Sequence, residues 1–90
     1  MEIKKAKGII ESILFAAGRE VKISELMSAL EASSEEIITI IESLKQDYIQ
    51  EDRGLQIVNV GEGYQLCTKQ EYYEYLYPIL DKRNKPNLSQ

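Results

Sequence analysis

Residues 52–68 read DRGLQIVNVGEGYQLCT, and the fold turns on them. Upstream of Asp52 the apolar residues recur at helical spacing. From Leu55 they do not. Leu55-Gln56-Ile57-Val58-Asn59-Val60 alternates loosely, as a strand does, and Tyr64-Gln65-Leu66-Cys67-Thr68 returns as a second strand. Gly61-Glu62-Gly63 between them is a turn with two residues able to take positive φ. The segment is a β-hairpin.

Working back from the hairpin, Ser33-Ser34-Glu35-Glu36 is a capping box. Ser33 can accept from the backbone of Glu36, and Glu36 can reach back. It starts a helix running to about Tyr48, with Ile37, Ile40, Ile41, Leu44 and Tyr48 as the inner stripe. Before it, Ser24 offers an N-cap for a helix over roughly Glu25–Glu31, with Leu26, Met27 and Leu30 inward. Val21 and Ile23 make a short extended piece, and Gly18 is a left-handed cap. The first helix is Ile3–Ala17, where Ile3, Ala6, Ile9, Ile10, Ile13, Leu14 and Ala17 fall within one arc. Working forward, Thr68-Lys69-Gln70-Glu71 is a second capping box. The helix it opens is expected to run to about Leu80, with Pro78 bending or shortening its last turn. Residues 81–90 are polar, charged and Pro-containing, as a linker is.

The expected fold is mainly α with a small β-hairpin. It is a winged helix-turn-helix, three helices and a two-stranded wing, with an extra C-terminal helix. Residues 1–80 form the domain and 81–90 lead away from it. Ninety residues allow one domain, burying about 60–65% of its unfolded surface. No apolar run approaches the ~20 residues that span a bilayer, and no signal-peptide cleavage site follows the N-terminal lysines. A single cysteine makes no internal disulfide, in keeping with a reducing compartment.

The chemistry of catalysis is missing. The chain has no histidine, which removes the commonest general base and any Cys/His zinc site. Cys67 stands alone, with only Lys69 near it to lower its pKa. Gly61 and Gly63 flank one glutamate and fit no phosphate-binding fingerprint. The adjacent carboxylates Glu35 and Glu36 sit where a helix N-terminus favours them. Neither an enzyme, a metal nor a cofactor is expected.

A winged helix invites a DNA-binding reading, in which the third helix enters the major groove. Here that helix offers Glu35, Glu36, Thr39, Glu42, Ser43, Lys45, Gln46 and Asp47, and the wing tip carries Glu62. The chain's net charge is −4. Its body is more acidic still, since Gly8 to Leu80 holds five basic and thirteen acidic residues. Both groove-reading elements therefore repel a phosphate backbone. A DNA-binding winged-helix transcriptional regulator is the alternative reading.

Surplus apolar surface favours a protein partner. Phe15 points about 180° from the inner arc of its helix. Ile38 and Ile49 flank Lys45 on the far side of the third helix. Tyr72, Tyr73, Tyr75 and Tyr77 spread over more of the last helix than one inner stripe can hold. Tyrosine suits interfaces because its ring buries area while its hydroxyl stays bonded. These eight residues are the interface candidates.

The chain resembles the N-terminal part of the segregation and condensation protein B family. The matching residues are Ile10-Glu11-Ser12-Ile13-Leu14-Phe15-Ala16-Ala17-Gly18, Ser24 through Leu30, Ser34-Glu35-Glu36, Glu51-Asp52-Arg53-Gly54-Leu55-Gln56-Ile57-Val58, Gly63-Tyr64-Gln65-Leu66 with Thr68, the tyrosine-rich helix, and Leu88-Ser89. The order and spacing of this set carry the likeness. Cys67 and Val21 depart from it, where family members often have a polar or basic residue and a proline. The resemblance implies a non-catalytic accessory subunit of the bacterial SMC–kleisin complex, acting in chromosome condensation and segregation. It implies pairing with itself, binding of the kleisin subunit ScpA and, through it, of the SMC ATPase. DNA would be met only through the complex, in the cytoplasm at the nucleoid. The family continues into a second winged-helix domain after the Leu-Ser pair, so this chain is expected to be its isolated N-terminal domain.

Overall fold

The computed structural model describes the backbone of residues 2–88 and the side chains of residues 2–80. The elements are α1 (Ile3–Ala17), β1 (Val21–Lys22), α2 (Ile23–Leu30), α3 (Ser34–Asp47), β2 (Leu55–Val60), β3 (Gly63–Thr68), a 3-10 turn (Gln70–Tyr72) and α4 (Tyr73–Leu88). The helix-turn-helix and wing stand as expected, with an added last helix.

The core lies between α1, α3 and the inner face of the sheet. Ile10 and Leu14 of α1, Leu26 of α2, and Ile37 and Ile41 of α3 are fully buried. Val21, Ile57 and Tyr64 close it from the sheet side. Ile3 lies at the edge of the α1 arc and remains exposed. The capping box at α3 forms both ways: Glu36 N–H donates to Ser33 Oγ at 3.2 Å, and Ser33 N–H donates to Glu36 Oε1 at 2.9 Å. The far end of α3 is tied to α1. Tyr48 donates its hydroxyl proton to Glu11, and Lys7 pairs with Asp47 at 2.6 Å.

The structure corrects the sequence at four places. The two-stranded wing gains a third, two-residue strand at its edge. β1 pairs antiparallel with β3, giving a sheet of order β1-β3-β2. Of the two turn glycines only Gly61 has positive φ, at 57°. Gly63 is needed for closeness instead. A Cβ there would sit 2.1 Å from the Val21 carbonyl oxygen, so only glycine lets β1 lie alongside.

Ile23 is not extended but opens α2, two residues earlier than a Ser24 cap would allow. The Glu25 carboxylate accepts the Lys22 N–H at 2.9 Å, which satisfies a free donor without any serine. The box at Thr68–Glu71 does not form, because Thr68 is held in the ladder opposite Leu55. The chain passes through the 3-10 turn with Lys69 as its cap. Finally, α4 runs past Leu80 to Leu88. A polar stretch containing lysine and arginine carries a solvated helix as readily as a linker. Ser89 and Gln90, the end of the expected linker, lie outside the described residues.

Candidate protein interface

The surface of α3 is built from its capped start. Four turns follow Ser33, with Ile37, Ile41 and Leu44 turned into the core. That packing leaves Glu35, Glu36, Ile38, Thr39, Glu42, Gln46 and Asp47 exposed. Its one cation, Lys45, is already engaged. The ammonium donates to Asn59 Oδ1 at 2.7 Å, lies 3.5 Å from Glu42 Oε2 and stands 5.5 Å from the centre of the Tyr64 ring. Burial, and behind it the Glu42 charge, push the Tyr64 phenol above its ordinary pKa, so the ring stays neutral under the ammonium. Lys45 thus fastens α3 to the wing instead of facing outward. What α3 shows to solvent is four carboxylates, the neutral polar Ser34, Thr39 and Gln46, and one isoleucine.

The other candidates fall in three places. Phe15 is 75% exposed and edges a shallow hollow of about 210 Å³ with Glu11, Ser12, Leu55 and Leu66. Ile49, just past α3, is exposed and lines a cleft with Lys45, Gln56, Ile57 and Lys69. The tyrosines divide by depth. Tyr72 is half-buried, and its hydroxyl donates to the Glu51 carbonyl oxygen at 2.6 Å. Tyr73 is half-buried too and leans on Tyr77, ring centres 5.9 Å apart. Tyr75 and Tyr77 are exposed.

Two further residues, Ile79 and Leu80, continue this surface and were missed in the sequence. The signal was there in the i, i+4 spacing of Tyr75 and Ile79, but the tyrosines alone were weighed as surplus on this helix. Pro78 has no N–H to give the Glu74 carbonyl, yet the helix continues past it. Among the described residues, α4 packs substantially only on the 3-10 turn before it. The molecule is accordingly elongated, 43 × 26 × 19 Å.

No His/Cys/Asp/Glu group with metal-site geometry occurs among the described residues, and no described helix is long and apolar enough to cross a membrane.

The domain is a winged helix with a carboxylate-lined third helix, the cation of that helix bonded to Asn59, and exposed aromatic and apolar residues on its last helix. Residues 8–90 match the family of the segregation and condensation complex subunit ScpB. The segregation and condensation protein B of Clostridioides difficile is 38% identical over 92 residues, covering the whole of this chain and 51% of that protein. The one from Acetivibrio thermocellus is 35% identical, across the whole chain and 46% of that protein. The chain belongs to the segregation and condensation protein B family, and it spans about half the length of the curated relatives it matches. A crystal structure of a dimer of the ScpB N-terminal domain complexed with ScpA peptide superposes with a TM-score of 0.82 at 41% identity, covering 86% of this chain and 96% of that one. ScpB from Mycobacterium tuberculosis has the same fold, with a TM-score of 0.82 at 18% identity over half of its length.

Proposed function

We propose that this chain is the self-pairing domain of a non-catalytic accessory subunit of a bacterial SMC–kleisin complex, serving chromosome condensation and segregation. One observation carries the reading. The chain matches nearly the whole of an N-terminal domain that crystallised as a dimer with a ScpA peptide. Its partners are then a second copy of itself, the kleisin ScpA, and the SMC ATPase through the kleisin. It works in the cytoplasm, at the nucleoid. The exposed surface of α3 supports the reading, because a groove-reading helix with its only lysine turned inward has nothing to grip phosphate.

Sedimentation equilibrium at micromolar concentration, a pull-down with a kleisin peptide and a mobility-shift assay with duplex DNA near 150 mM salt test it together. A dimer that retains the peptide and leaves DNA unshifted is expected. A strict monomer, or DNA binding tighter than about micromolar that is abolished by changes in α3, refutes it and restores the regulator reading.

A further inference from the structure

We propose that Lys69 and Tyr72 form a bracket on the loop between α3 and β2, and that this bracket fixes the direction in which α4 leaves the body. Three observations converge on it.

The first is how little else holds α4. Among the described residues it packs substantially only on the 3-10 turn from which it grows. None of its side chains from Tyr73 to Leu80 is buried, so no face of this stretch is sunk into the core. Such a helix takes its direction from its root.

The second is that the root is one residue wide. Tyr72 N–H donates to the Lys69 carbonyl oxygen at 3.1 Å, and Tyr73 N–H donates to that of Gln70. The 3-10 turn and α4 are therefore one continuous helical body. On the other side, Lys69 N–H donates to the Gly54 carbonyl oxygen at 3.0 Å, one step beyond the Leu55–Thr68 pair of the ladder. Between ladder and helical body stands Lys69 alone, extended at φ −77° and ψ 139°. Its two soft dihedrals are a joint, and backbone alone leaves that joint free to swing.

The third is that two side chains brace this joint and close a triangle. Lys69 Nζ donates to the Gln50 carbonyl oxygen at 3.0 Å, which holds the loop against the ladder. Tyr72 Oη donates to the Glu51 carbonyl oxygen at 2.6 Å, which holds the helical body against the loop. Residues 49–54 are all exposed, so the bracket grips the loop by its carbonyls and not by its side chains. The Gln50 carbonyl also takes the Arg53 N–H at 3.0 Å, which closes the loop into a turn and makes it a firm seat. A hydrogen bond is worth about fivefold in an equilibrium, so the two side chains favour the held direction by about 25-fold over a free swing.

The bracket decides how the exposed face of α4 is met. Held in one direction, Tyr75 and Ile79 are presented before any partner arrives, and binding does not have to order the helix first. Lys69 and Tyr72 are positioning residues for that surface.

The test is double electron–electron resonance between spin labels at Ser28→Cys on α2 and Ile79→Cys on α4, both exposed sites, in a Cys67→Ser background. Labelled protein is diluted into a large excess of unlabelled protein, so that each measured distance lies within one copy. The otherwise unaltered chain is compared with Tyr72→Phe, with Lys69→Met/Tyr72→Phe and with Ser33→Ala, which weakens the fold away from the bracket. Circular dichroism follows folding. One narrow distance distribution is expected in the unaltered chain and in Ser33→Ala, with a width increased about twofold or more in the double variant and Tyr72→Phe between them. Equal widths in the unaltered chain and both bracket variants overturn the proposal, as does a broad distribution in the unaltered chain. Widening in Ser33→Ala to match the double variant marks general loosening and overturns it too. Should the double variant fail to fold, Tyr72→Phe, which removes one oxygen and keeps the ring, decides alone.

Discussion

Replacing Gly63 with alanine asks whether the wing is part of the core or an appendage to it. A Cβ at this position would stand 2.1 Å from the Val21 oxygen, 2.7 Å from its carbonyl carbon and 2.8 Å from Lys22 Cα. All three are backbone atoms, so no rotamer change relieves the contact. β1 must separate from β3 and give up its ladder. Forcing a methyl into a packed contact costs about 1–3 kcal/mol. Releasing Val21, now 2% exposed, forfeits about 1.5 kcal/mol more. The sum is about 2.5–4.5 kcal/mol, against a total stability of roughly 5–13 kcal/mol for a domain of this length. The melting temperature should fall by roughly 15–25 °C. Thermal and urea denaturation followed by circular dichroism measure it. Gly8→Ala is the internal control: a Cβ there meets nothing within 4 Å, and alanine inside α1 should stabilise by about 0.5–1 kcal/mol. A Gly63→Ala protein within about 1 kcal/mol of wild type would refute the account of a backbone-to-backbone fit.

Three other substitutions bear on the frame. Ser33→Ala removes the oxygen that caps α3 and should cost about 1 kcal/mol in urea denaturation, with Ser34→Ala as the neutral comparison. Glu31 closes α2 at φ 53°, which is costly for any residue with a Cβ, so Glu31→Gly should raise stability by about 0.5 kcal/mol. Tyr48→Phe should cost about 1–2 kcal/mol at neutral pH through the lost bond to Glu11. Burial first, then that carboxylate, raise the Tyr48 phenol above its ordinary value of 10.0. The folded state therefore holds this proton more tightly than the unfolded chain does. The stabilisation is complete below about pH 10 and is lost as pH rises beyond it. Wild type should weaken through that alkaline window in urea titrations, and Tyr48→Phe should weaken less.

Elements with a one-residue chemical signature could be read directly. The period of α1 and the Ser33–Glu36 box put two helices at their observed bounds, because cap and stripe are local. The wing strands were legible for the same reason. What escaped needed partners distant in sequence. Val21 and Lys22 form a strand only because β3 passes beside them, and a two-residue strand has no period to see. Ser24 lost the cap to Glu25, whose carboxylate reaches the Lys22 N–H more directly. The interface candidates were half legible. Phe15, Tyr75 and Tyr77 betray themselves by excess over one stripe. Lys45 looks free in sequence, and only its approach to Asn59 and Tyr64 across the fold shows that it is spoken for. Ile79 and Leu80 were missed because the surplus was counted in tyrosines, although both lie within the helix as expected to about Leu80.

Loop tips are ordinarily where a fold accepts extra residues. This wing does not have that freedom. Lys22 lies opposite Gly63 at the very tip, and the Ile23 N–H donates to the Glu62 carbonyl oxygen at 3.2 Å, so the hairpin's end is sewn to the start of α2. Lengthening the turn by even two residues would unpick that seam before it lengthened the wing. Amide hydrogen exchange at the tip should therefore be as slow as in the strands behind it. Variation among natural versions of this domain should gather in the loop between α3 and β2 and spare the wing's length.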